Sequence, residues 1–532
     1  MNIFELFEQQ ARERPRQPAI VETTHQGEQS TDYDELHHAV LQSCTLFERH
    51  GLMPGDAVLL FQPMSVALYV YLLACFRLGL VAMFIDPGVG RDYITQCCRI
   101  HPPRALLAAP GAQLLRLLSP SLRRIPVKFT TGHWFPFSKS ARWHGQRLTT
   151  SPVVAGGDAI ALISFTSATT GAPKAIARSH DFLLAQNHVL RQSLALRPGQ
   201  VDMNSLPIFV LANLATGLTS IIPAGDLRHP AAVDGATLLR QLEHRHAQRL
   251  SAPPSLIERL VAACERDGQR LQWPLAVYTG GAPVFPQLLQ RLAGIAPLAQ
   301  IHVIYGSSEA EPIAQIEYRE ISSSDFEAMR LGRGLLAGKP IAGIALRILA
   351  PHPGENIATL TPVQLDAMTL QPNAVGEILV SGEHVLTGYL HGSGDQETKI
   401  RVGDTIWHRS GDAGYLDNGG RLWLLGRDRE IVRDGHGEAY PFPIECAALQ
   451  APGIQRAAFL LWRQRRCLVV QCADAAAVRA LDELRRREHI DAVMRIDRMP
   501  LDRRHNAKID YPALRRWLTR HTPHRQTQRS SD

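Results

Sequence analysis

The sequence predicts an α/β protein: a large N-terminal domain of parallel-sheet βαβ units carrying a β-rich subdomain, then a small α/β domain at the C-terminus. Three observations predict it. Helical patterns alternate with short Val/Ile/Leu-rich runs through the first ~350 residues, as in βαβ units. After about residue 340 the texture changes to short strands separated by Gly-rich turns. Beyond Gly426 roughly 105 residues remain, enough for one small domain.

In chain order, Ile3 to Glu13 reads as helix, Ala57 to Phe61 as strand, Ser65 to Leu80 as helix and Ala82 to Ile85 as strand, closed by a turn at Asp86-Pro87-Gly88. Ala159 to Ile163 is a short apolar run that reads as a buried strand. Helices follow at Asp181 to Leu194 and Leu238 to His246, a strand at Leu275 to Tyr278, a helix at Pro286 to Leu292 and a strand at Ile301 to Tyr305. Gly376-Glu377-Ile378-Leu379-Val380 and Gly420-Arg421-Leu422-Trp423-Leu424 mark the β-rich part. Ala457 to Leu461 reads as a strand of the small domain, and Ala475 to Glu488 as its helix.

A chain of 532 residues is too long for one ordinary core, and 45% hydrophobic with 20% charged residues is a globular composition. Lys and Arg exceed Asp and Glu by 57 to 50, an excess compatible with an anionic substrate but too weak to indicate nucleic acid. Arg485-Arg486-Arg487 and the Arg515 to Arg529 tail read as a solvated face and a frayed end. The eight cysteines form no C-x-x-C pair and have no histidine at zinc spacing, so the reading is a reducing cytoplasm without disulfides or structural zinc. The start, Met1-Asn2-Ile3-Phe4-Glu5, lacks the basic-then-apolar pattern of a signal peptide. Ser65 to Leu80 falls short of the roughly 20 residues that cross a bilayer and carries Arg77, so it is expected in the core and no transmembrane segment is expected.

The chemistry is concentrated in ordered motifs. In Phe165-Thr166-Ser167-Ala168-Thr169-Thr170-Gly171-Ala172-Pro173-Lys174-Ala175, the hydroxyls of Thr166, Ser167, Thr169 and Thr170, the N–H groups around Gly171 and the Lys174 ammonium can surround phosphate oxygens. It is not a Walker loop, and by composition alone it is also an ordinary turn. Thr279-Gly280-Gly281-Ala282-Pro283 follows a predicted strand and would let backbone approach a flat ring. Tyr305-Gly306-Ser307-Ser308-Glu309 follows the apolar Ile301 to Ile304. Trp407-His408-Arg409-Ser410-Gly411-Asp412 precedes Gly426-Arg427, and Asn506-Ala507-Lys508-Ile509 closes the series.

In this order the motifs resemble those of the adenylate-forming superfamily, the AMP-forming acyl-CoA synthetase-like enzymes. The likeness runs along almost the whole chain: Gly332, Gly338-Lys339-Pro340, Gly376-Glu377-Ile378 and Pro443-Ile444-Glu445 also fall where that family places similar residues. The resemblance implies activation of a carboxylic acid, fatty or hydroxy-fatty, by ATP and Mg²⁺ to an acyl-adenylate with loss of pyrophosphate. It implies domains of residues 1–425 and 430–532 joined by a hinge at 426–429, the small one mobile. It assigns the phosphates to Thr166, Ser167, Thr169, Thr170, Gly171 and Lys174. Adenine and ribose go to Gly281, Ala282, Pro283, Tyr305, Gly306, Asp412 and Arg427. Ser308 would meet the α-phosphate, Glu309 hold Mg²⁺, and Lys508 reach the carboxylate and α-phosphate from the small domain. Phe209, Leu211, Asn213 and Thr216 are candidates for the acyl pocket, though they also read as plain core.

For the second step the resemblance implies transfer to the thiol of coenzyme A or of an acyl carrier protein. An alternative comes from Phe84-Ile85-Asp86-Pro87-Gly88, Leu206-Pro207-Ile208-Phe209, Trp407-His408-Arg409, Gly420-Arg421-Leu422-Trp423 and Arg504-His505-Asn506-Ala507-Lys508-Ile509, which look like the β-lactone synthetases of olefin synthesis and related fatty acyl-AMP ligases. There the 3-hydroxyl of a 2-alkyl-3-hydroxy acid displaces AMP. A degenerate nucleotide binder is the third reading, prompted by Ala168 and Ala175 in place of the usual glycines, and opposed by the retained Lys174, Glu309, Asp412, Arg427 and Lys508. Arg429 at a hinge position that is commonly acidic, and Ala507 before the lysine, are further departures.

Overall fold

The computed structural model describes residues 1–24, 26–86, 90–132, 135–144, 147–149, 155–167, 172–350, 359–474, 476–502 and 508–521. The expected α/β architecture is present, arranged as two large sheets and two smaller ones among the described residues.

The first sheet has the order Lys139–Ser140, Val127–Thr130, Ala105–Ala108, Ala57–Phe61, Val81–Phe84, Ile160–Ser167, Pro173–Ser179, parallel except for the last pair. Its central strands are apolar at every position because both faces are covered. Val58 and Leu60 enter one core cluster while Ala57, Leu59 and Phe61 enter the other. Burying each such large side chain contributes roughly 1.5–3 kcal/mol. Val66–Arg77, capped by Ser65 and buried almost throughout, packs on this sheet as the expected core helix. No helix among the described residues is long and apolar enough to cross a membrane. All eight cysteines are buried free thiols.

The second sheet begins at Gly27–Asp32 and Pro18–Thr24, runs in parallel through Thr219–Ile221, Val201–Asn204, Arg249–Ala252, Ala276–Gly280 and Gln300–Ser307, and then turns antiparallel. Ala310–Glu317 makes that switch as a hairpin partner of Gln300–Ser307. Leu335–Pro340, Leu422–Arg427, Thr405–Leu416, Gly376–Ser381 and Ala345–Leu349 continue it. The β-rich subdomain is thus the antiparallel half of a sheet whose other half is parallel. Gly280 permits the close pairing: a Cβ there would lie 2.1 Å from the Ile304 carbonyl oxygen.

Beyond this sheet, Ile454–Trp462, Arg465–Cys472 and Ala492–Ile496 form a three-stranded sheet with apolar clusters on both faces. The helix expected over Ala475 to Glu488 is two short ones, Ala476–Arg479 and Asp482–Arg487. The strand expected to end at Ile163 continues to Ser167, and Pro173-Lys174-Ala175 opens its partner, so the two flanks of the phosphate-loop motif are paired strands.

Candidate active site

Two antiparallel strand pairs flanking a turn and a third strand pair supply the site residues. Across the first hairpin Thr166 faces Lys174 in register, while Ala168, Thr169, Thr170 and Gly171 lie outside the described residues. Lys174, Ile176 and Arg178 share one face of Pro173–Ser179 by the two-residue period. The Lys174 ammonium stands 3.6 Å from Glu397 and 5.3 Å from the centre of the Tyr389 ring. Ile176 packs with Leu386 and Tyr389. Arg178 donates from Nη2 to the Ser308 carbonyl at 2.6 Å and from Nη1 to Ser164 Oγ at 2.9 Å. Ala175, where the family's usual glycine suggested a strained or crowded backbone, pairs with Phe165 inside the strand and buries its methyl in the opposite cluster. At that position the loss of glycine carries no strain.

The second turn, Ser308-Glu309, joins the parallel and antiparallel halves of the large sheet. Glu309 Oε1 accepts from the Tyr389 hydroxyl at 2.8 Å. Burial opposes ionisation of Glu309, but the Tyr389 hydroxyl and the Lys399 ammonium hold its carboxyl below the ordinary glutamate range. Lys399 is buried, donates to the Leu386 carbonyl and lies 3.1 Å from His408 Nδ1. Burial pushes its ammonium down to about 8, and pushes the His408 ring down to about 3. One ionised carboxylate beside substrate phosphates suits Mg²⁺, which keeps most of its shell as water and phosphate oxygen. The residues present therefore fit the ion.

The strand pair supplies Asp412 opposite Arg427. Arg427 Nε lies 3.0 Å from Asp412 Oδ1, Arg427 Nη1 donates to the Ser410 carbonyl at 3.2 Å, and the Tyr305 hydroxyl donates to Asp412 Oδ2 at 2.7 Å. A carboxylate has about four lone-pair sites, so two remain for a pair of vicinal hydroxyls. Burial and the facing Asp412 raise the Tyr305 hydroxyl well above its ordinary value, which keeps it a donor. Gly306 lies in the same strand as Tyr305. Gly281 adopts φ +75°, with Ala282 and Pro283 next to it at the end of Ala276–Gly280.

Lys508, from the C-terminal part of the chain, is half-buried in this assembly. Burial and Arg427 push its ammonium below the ordinary lysine value, against Asp412, Asp502 and Glu309. Residues far apart in sequence thus bring Lys174, Glu309, Asp412, Arg427 and Lys508 to one place.

The acyl-pocket candidates separate. Phe209 packs with Tyr278 and Ile304, beside the adenine-side turn. Leu211 belongs to the N-terminal core. Asn213 spends its amide on Asp202 (2.8 Å) and Ser220 (3.1 Å), and the Thr216 hydroxyl bonds the Ala212 carbonyl at 2.8 Å. These last three are core groups in their own right. Sequence reading missed Arg178, Tyr389 and Lys399. The alternation Lys174, Ile176, Arg178 was available as a signal for Arg178; nothing local marks the others.

The AMP-binding enzyme family model matches residues 7–390. The chain is 29% identical to an olefin β-lactone synthetase of Xanthomonas campestris pv. campestris, with 97% of each chain covered. It is 28% identical to one of Stenotrophomonas maltophilia, over 97% of this chain and 98% of the other. A solved anthranilate CoA ligase with anthranoyl-AMP superposes with a TM-score of 0.81 at 16% identity, over 98% of this chain and 97% of that one, a likeness of fold. The chain belongs to the AMP-binding enzyme family and is an ATP-dependent, AMP-forming ligase.

Proposed function

We propose that the protein activates a 3-hydroxy carboxylic acid and closes it to a β-lactone. A carboxylate oxygen attacks the α-phosphorus of ATP and pyrophosphate leaves. The 3-hydroxyl oxygen then attacks the carbonyl carbon of the adenylate, the hydroxyl proton is lost, and the C–O bond to AMP breaks. The observation that carries this reading is the likeness to β-lactone synthetases over 97% of both chains.

Lys508 and Ser308 sit beside the reacting carboxylate and α-phosphate, Thr166 and Lys174 with the hairpin end hold the outer phosphates, and Tyr305, Asp412 and Arg427 orient adenosine. Mg²⁺ held at Glu309 neutralises phosphate charge when bound. Fixed charges aimed at developing charge supply most of the rate enhancement in such a site. The working units are residues 1–425 and 430–532, with 426–429 as hinge. Placement of Lys508 near Glu309 and Asp412 supports this arrangement as the adenylating one.

The test supplies purified protein with ATP, Mg²⁺ and a long-chain 2-alkyl-3-hydroxy acid, with and without coenzyme A or a carrier protein. The expected result is AMP and a product one water lighter than the acid, with no thiol needed. A strict thiol requirement would overturn lactone closure and establish thioester formation instead.

A further inference from the structure

The end of the first sheet farthest from Lys174 has a charge pattern that the nucleotide chemistry does not use. Residues 93–157 contain nine Arg or Lys and no Asp or Glu, a run bounded by Asp92 and Asp158, although the whole chain holds 57 basic and 50 acidic residues. Among the described residues this run supplies the strands Ala105–Ala108, Val127–Thr130 and Lys139–Ser140, at the opposite end of the sheet from Pro173–Ser179. It also supplies the short helices Leu115–Leu118 and Pro120–Arg124.

Four apolar side chains stand out of this edge: Leu114 is 54% exposed, Leu117 61%, Leu118 65% and Phe137 94%. Hydrogen bonds fasten them to one another and to cations. Arg116, itself buried, donates to the Pro136 carbonyl at 2.7 Å and the Phe137 carbonyl at 3.3 Å, which fixes the Phe137 turn against the Leu115–Leu118 helix. The exposed Arg123 donates to the Leu117 carbonyl at 3.1 Å, and the exposed Arg91 to the Leu118 carbonyl at 3.4 Å. Phe137 is held at φ +55°, a conformation that a bulky residue adopts only when its surroundings impose it.

A single exposed leucine needs no explanation, but apolar groups gathered on one edge and rimmed by guanidiniums mark an interaction surface. A protein partner would have to match the shape of these protruding side chains. A bilayer takes apolar groups of any shape at its acyl boundary, while Arg and Lys are drawn to anionic headgroups. We infer that this edge docks the protein on the surface of an anionic lipid bilayer. Leu114, Leu117, Leu118 and Phe137 enter the boundary between headgroups and acyl chains, and Arg91, Arg123 and Arg124 lie on the lipid phosphates. The inference does not depend on which acid is activated.

The experiment sediments purified full-length protein with vesicles of phosphatidylcholine alone, or with about one-third phosphatidylglycerol. Wild-type protein is expected to bind the anionic vesicles at least ~10-fold more tightly, and about 0.5 M NaCl should weaken that binding severalfold by screening the headgroups. Leu117→Ser with Leu118→Ser, and separately Phe137→Ser, should each weaken binding to anionic vesicles by about 5-fold or more, with melting temperatures close to wild type because the replaced groups are exposed. Arg123→Gln with Arg124→Gln should weaken it similarly and flatten the salt dependence. Equal binding of wild-type protein to both kinds of vesicle, or to neither, would overturn the inference without any variant, as would unchanged binding in both apolar variants. Capture of an acidic carrier protein that these variants abolish, without vesicle binding, would assign the edge to a protein partner and overturn it equally.

Discussion

Lys508 and Glu309 show how a residue acquires a role from its surroundings. A lysine close to a C-terminus is ordinarily a solvated charge, but Lys508 is depressed by burial and by Arg427 while facing Asp412 and Glu309. Lys508→Ala is expected to lower pyrophosphate exchange by about 100-fold to 1,000-fold, the usual effect of removing one preorganised charge, with ATP affinity by calorimetry nearly unchanged. Normal exchange in that variant would contradict the assignment. Glu309 is held ionised by its neighbours although it is buried. Glu309→Gln should therefore raise the Mg²⁺ concentration needed for half-maximal rate, and an unaltered Mg²⁺ titration would remove Glu309 from the metal. Most of these residues were legible as motifs. Lys399 was not, because a lone basic residue in a strand looks like any solvated one until its neighbours are known.

Single elements carry their own consequences. Pro441–Ala448 lies against the small sheet and buries Glu445, whose carboxylate accepts from the Phe459 N–H at 3.0 Å and the Tyr511 hydroxyl at 2.7 Å. Burial pushes that carboxyl up to about 7. Because the folded value is raised, its contribution is complete below the ordinary glutamate pKa and is lost as pH rises through about 7, roughly 3 kcal/mol in all. Between pH 5 and pH 8 the melting temperature of the full-length protein should fall relative to that of Glu445→Gln, and parallel curves would refute the assignment. Strand boundaries were legible to within a few residues where apolar runs were long, as in Ala57–Phe61. The hairpin at Lys174 was read as a loop because its hydroxyl-rich composition hides the pairing of Thr166 with Lys174.

At the scale of the molecule, the proposed hinge falls at Arg427, Asp428 and Arg429. Asp428–Glu430 is one 3-10 turn, and Arg429 leans on Glu430 at 3.5 Å. The C-terminal unit also touches the large one through Arg456, 2.7 Å from Glu258. Asp428→Pro restricts φ at the first position of that turn, which proline tolerates. Lactone closure within the adenylating arrangement needs no rotation, so this variant should keep lactone output within about threefold. A thiol-dependent second step would instead be lost, and loss of lactone output while pyrophosphate exchange persists would show that closure needs the hinge.

Motif order, spacing and periodicity by themselves determined the α/β class, the family and the charged groups proposed to handle ATP, because those constraints are local: a turn, a strand end, a residue type. Only the tertiary structure decided which charges face one another. It put Arg178 against the Ser308 carbonyl, 130 positions away by their numbering, and it placed the Asn213 amide in a buried network with Asp202 and Ser220. Long-range juxtaposition is set by sheet order and by the packing of helices onto it. No local pattern encodes that, so the reaction class could be read from the chain and the arrangement of the charges around the site could not.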